Sequence, residues 1–94
     1  MPMSLENILT SPVALPRAIP AKFANGTPIM LRHVGAVANF LMTTGSAAKT
    51  AHPELWEKAQ ANMVAANDHP ADRKKGEAAW QSVLDLLSAA GLLE

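Results

Sequence analysis

His33, His52 and His69 are the side chains of this 94-residue chain best suited to metal ligation or to proton transfer near neutral pH. No two of them stand three or four residues apart, so one helical turn cannot present a pair to a single ion. Any cluster would have to come from the tertiary fold. His52 and His69 each precede a proline, Pro53 and Pro70, which disfavours helical geometry at the histidine and marks both as helix-entry positions. No serine or threonine lies in a Gly-x-Ser-x-Gly elbow. The chain has no cysteine, which excludes thiol nucleophiles, disulfides and thiolate metal sites. Glu54, Glu57, Asp72 and Glu77 fall at expected helix starts and on polar faces, where the helix dipole and water account for them. Gly26, Gly35, Gly45, Gly76 and Gly91 are too scattered to cradle a phosphate. The expectation is a chain with no catalytic residues, no metal and no cofactor.

Arg73-Lys74-Lys75 is the basic run, and three cations at the start of a helix are the chemistry of a nucleic-acid contact. Asp68, Asp72 and Glu77 flank it, and eight basic residues balance eight acidic ones over the chain, so a solvated helix entry is the expected role. Zero net charge also removes the repulsion that keeps small domains apart, which permits self-association.

The elements that would position these residues follow from proline spacing and apolar periodicity. Pro2, Pro12, Pro16, Pro20 and Pro28 prevent a long helix near the amino terminus. Ser11–Leu15 and Pro28–Arg32 are expected to be strands of a β-hairpin, with Asn25-Gly26 as a turn signal, and residues 1–10 an arm outside the domain 11–94. Val34, Val37, Ala38 and Leu41, with Phe40 beside them, predict a short helix ended by Gly45. Thr43 to Ala51 is expected to be a surface loop. Helices are then predicted over Pro53–Asn67 and Ala71–Leu92, joined by Asn67-Asp68-His69-Pro70 into an antiparallel pair. The expected fold class is α+β, a short hairpin packed on three helices. The amino terminus lacks a signal-peptide pattern and no apolar run is of membrane-spanning length, so a soluble cytoplasmic chain is expected.

Ile29 to Leu31, Phe40-Leu41, the spacing Ala59, Met63, Ala66, and then Ala79-Trp80 and Ala90-Gly91-Leu92 occur in an order that resembles the small bacterial family catalogued as domain of unknown function 982. The resemblance covers about Val13 to Leu92, with departures at Met42-Thr43-Thr44 and Gly76-Glu77. It implies two strands and three helices, and no activity.

The remaining lead is apolar. Trp80, Val83, Leu84 and Leu87 form one stripe of the last helix, while Ala79, Leu86, Ala90 and Leu93 form a flanking one, an arc wider than one neighbouring helix covers. Trp56, Trp80, Leu86 and Leu93 are therefore the candidate interface residues of a non-catalytic interaction module, a homodimer joined through the last helix. One alternative is a small apolar ligand held between hairpin and helices near Phe23, Phe40 and Met63. The second is nucleic-acid binding through Arg73, Lys74 and Lys75.

Overall fold

The computed structural model describes residues 5–94. A 3-10 turn, Leu5–Ile8, leads into strands β1 (Ala14–Lys22) and β2 (Pro28–His33), then helices α1 (Val34–Thr44), α2 (Ser46–Ala51), α3 (Pro53–Asp68) and α4 (Arg73–Ala90). The fold is α+β: a two-stranded antiparallel sheet at the amino-terminal end, with α4 packed against β1 and α3 packed closely on α4.

The hairpin turns where Asn25-Gly26 indicated. Gly26 has φ 89°, and its N–H donates to the Phe23 carbonyl at 2.8 Å while the Asn25 side chain accepts from Thr27 N–H at 3.0 Å. β1 starts later than Ser11 and runs on through Pro16 and Pro20. A strand tolerates proline where the missing N–H faces away from its partner strand or falls in a bulge. Both conditions are met. Pro20 turns its backbone to the outer edge of β1, where its carbonyl accepts from Glu94 N–H at 3.1 Å. Pro16 lies in a bulge: between the pairs Ala14–His33 and Ile19–Leu31, the four residues Leu15 to Ala18 oppose Arg32 alone.

Residues 1–4 lie outside the described residues, but the next part of the expected arm belongs to the domain. Leu5 and Ile8, three residues apart on the 3-10 turn, are buried against α1 and α3. The chain then passes so close to the start of α1 that a Cβ on Gly35 would lie 2.6 Å from the Ser11 carbonyl oxygen and 2.8 Å from that of Leu9.

The expected loop Thr43 to Ala51 contains a short helix instead, α2. Gly45 ends α1, as expected, and opens α2: its N–H donates to the Leu41 carbonyl at 2.8 Å and its own carbonyl accepts from Lys49 N–H at 2.9 Å. A Cβ at this position would come within 2.8 Å of Trp56 Cζ3, so the glycine lets the indole close over the bend. Ala48 is the buried residue of α2.

α3 begins with Pro53 at its first turn, and α4 with Asp72 as N-cap, its carboxylate accepting from Lys74 N–H at 3.0 Å and Lys75 N–H at 3.2 Å. Gly91 ends α4 at φ 73°. Leu92 N–H bonds back to the Leu87 carbonyl at 2.8 Å and Gly91 N–H to that of Ser88 at 3.2 Å, the pattern of a Schellman cap. Between the two long helices Asn62 Nδ2 donates to Ser82 Oγ at 3.0 Å, and Ser82 Oγ donates to the Ala78 carbonyl at 2.6 Å, so these two polar side chains are paired.

Candidate functional site

The apolar arc of α4 is wide because three elements cover it. α3 packs along one side, β1 crosses a second, and α2 reaches a third. Leu86 is 0% exposed and Ala79 equally so. The surplus expected on this helix is therefore absent at its centre, and Leu86 offers no surface to a second chain. Trp56, 6% exposed, is likewise a core anchor, with Lys49 Nζ 5.8 Å from its ring centroid. Leu93 is half-buried and forms a β-bridge with Ala21, lying along β1 as part of the sheet rather than projecting from α4.

Trp80 is also half-buried, and its cover comes from the β1 bulge. The bulge aims Arg17 at α4, placing its guanidinium carbon 4.1 Å from the Trp80 ring centroid while Arg17 Nη2 pairs with Glu77 Oε2 at 2.8 Å. Each of those two charged side chains is about half exposed, so the ion pair itself contributes at most about 1 kcal/mol. Beside it lies an open cleft of about 680 Å³ whose charged lining is Arg17, Asp72, Arg73, Lys74 and Glu77. Acids alternate with bases there. Asp72 already holds the first amides of α4, Arg73 and Lys74 are exposed, and Lys75 is half-buried, so the basic run stands at a capped, mixed-charge helix entry.

The histidines do not converge along α3. His52 and His69 stand at its two ends, 17 positions apart, a separation of about 25 Å at the helical rise. His33 serves α1 as N-cap, its Nδ1 accepting from Ala36 N–H at 3.1 Å. Among the described residues no group of three or more His, Asp or Glu is placed to hold a metal ion.

The space expected to receive an apolar ligand is filled by the protein's own side chains. Phe23 and Phe40 pack in a tilted arrangement, 5.3 Å between ring centroids and 43° between planes, and Phe40 and Met63 are buried. A cleft of about 420 Å³ remains outside this pair, between Phe23, Ala47 and Leu92.

What the residue pattern did not single out is the edge of the sheet. On β1 the groups of Pro20 and Lys22 face the carboxy-terminal segment, with Lys22 N–H donating to the Leu92 carbonyl at 2.9 Å. Ile19 and Ala21 therefore turn their backbone groups toward β2, and the register assigns Leu31 and Ile29 as their partners. The N–H and C=O of Met30 and the N–H of Arg32 then face the opposite way, where no strand pairs with them among the described residues, whereas the Ala14–His33 pairing, with Val34 N–H on the Val13 carbonyl, turns the Arg32 carbonyl to β1. Met30 is 47% exposed, and among the described residues it shares with Met42 of α1 the position of most exposed large apolar side chain. The signal was the alternation in Ile29-Met30-Leu31, which puts a methionine on the solvent face of a strand.

No family model, no curated protein and no solved structure matches this chain. Among the described residues no helix is long and apolar enough to cross a membrane.

Proposed function

We propose that this chain is a non-catalytic protein-interaction module that docks through the open edge of its β-hairpin. The observation that carries this reading is an asymmetry. Around Ala21, β1 has both edges occupied, by β2 and by the carboxy-terminal segment, whereas β2 at Met30 presents backbone groups that no strand pairs with among the described residues, beside an exposed methionine. A row of unpaired strand groups is a template for another strand, and an adjoining apolar side chain adds contact area. The proposal moves the expected interface from the last helix, whose central leucine is buried, to the hairpin.

Photo-crosslinking in the cells that make the protein tests this. A benzophenone side chain at position 30 is expected to give discrete adducts, and one at the exposed Asp85 of α4 none. Equal adduct formation at the two positions, or none at position 30, would sink the proposal.

A further inference from the structure

We infer that the occupant of this edge is a second copy of the chain, joined β2 to β2 in antiparallel register with Met30 opposite Met30; this rests on the docking role proposed above. The edge is complementary to itself. Because Met30 turns both its N–H and its C=O outward, two copies related by a two-fold axis through this position exchange a pair of N–H···O bonds. The same register sets Arg32 of one copy opposite Pro28 of the other. Arg32 N–H then meets the Pro28 carbonyl, and no N–H of Pro28 is left unpaired because proline has none.

Charge and shape agree with that register. β2 carries one arginine and no acid, and pairing centred on Met30 keeps the two arginines from standing opposite each other. Met30 is the cross-strand neighbour of Pro20, so the joined sheet carries an apolar row across its solvent face: Pro20, Met30, then Met30 and Pro20 of the second copy. The outer edge of β1 is covered at Pro20 and Lys22, by Lys22 N–H on the Leu92 carbonyl and Glu94 N–H on the Pro20 carbonyl, so at these positions β1 does not compete with β2 for a second strand. The chain's zero net charge adds no long-range repulsion between copies. A single short strand edge buries less than a standard interface, so the dimer is weak, with a dissociation constant on the order of 100 µM.

Sedimentation velocity of the purified full chain over a concentration series tests this, with thermal melts to verify that each variant is folded. Met30→Pro removes the outward N–H, which no pairing within the copy uses. Met30→Lys keeps the backbone and sets two like charges across the axis. Ala89→Lys alters the exposed side of α4. The expected result is a monomer–dimer equilibrium weakened at least tenfold by either Met30 substitution and unchanged by Ala89→Lys. A chain that stays monomeric up to about 1 mM, well above the affinity expected for so small a contact, overturns the second-copy inference. If the crosslink at position 30 then captures a different protein, the docking role stands without it. A dimer broken by Ala89→Lys and indifferent to Met30 overturns the inference in favour of the last helix.

Discussion

Leu86→Ala separates a core residue from an interface residue. Leu86 has no exposed surface and lies in one cluster with Ala79, Val83 and Leu87 of its own helix and with Ile19 and Ala21 of β1. Truncating a buried leucine costs about 2.7–5.0 kcal/mol, the spread reflecting how far the surroundings collapse. β1, α2 and α3 all press on α4, which leaves little freedom to close the cavity, but the small side chains nearby can shift, so about 3 kcal/mol is the working figure. A domain of this size has a total stability of about 5–14 kcal/mol, and each kcal/mol moves its melting temperature by about 4–8 °C. The substitution should therefore lower the melting temperature by about 12–24 °C. Far-UV circular dichroism melts at two protein concentrations, roughly fortyfold apart, are the assay, because loss of internal packing is independent of concentration whereas loss of a subunit contact is not. A drop below about 4 °C, or one seen only at the higher concentration, would refute the assignment of Leu86 to the core.

Gly35→Ala should cost about 1–3 kcal/mol in urea denaturation, since the new methyl would meet the Ser11 and Leu9 carbonyl oxygens, which are backbone and cannot rotate away. Asp72→Ala removes the acceptor for two amides of α4 and should cost about 1 kcal/mol, read as a shift in the urea midpoint; Asp72→Ser should recover most of it. Arg17→Met should cost less than about 1 kcal/mol, because the pair with Glu77 is exposed and the methionine still covers Trp80; quenching of Trp80 fluorescence by iodide should rise in Arg17→Ala and not in Arg17→Met.

The long helices were legible in the sequence because their signals are local. Pro53 opens α3 where the expected range begins, and Asp72 and Gly91 bound α4 within a turn of its expected ends; each acts within a few residues of itself. The turn at Asn25-Gly26 was readable for the same reason. α2 was not. Its small, polar residues give no apolar period, and its one buried side chain, Ala48, gains burial from the tertiary fold. The same limit applied to Leu5 and Ile8, whose burial depends on α1 and α3 far along the chain.

Long-range packing also explains why α4 suggested a surplus. The width of an apolar arc can be counted from periodicity, but the number of elements that cover it cannot. Here β1 crosses α4 as a further layer, drawn close by a bulge that no residue pattern announced. The free edge of β2 was hidden for a related reason: alternation places Met30 on the solvent face, yet which edge stays open depends on the carboxy-terminal segment returning to pair with β1 rather than with β2.

Amide hydrogen exchange at Met30, followed by NMR as the protein concentration is raised, decides where this chain binds. The Met30 amide faces the open edge, so it should exchange fast in dilute solution and become protected as copies pair, while the amides of Ile29 and Leu31, directed at β1, stay protected throughout. If Met30 exchange does not change with concentration while amides on the exposed side of α4 become protected, the hairpin edge is not the docking surface.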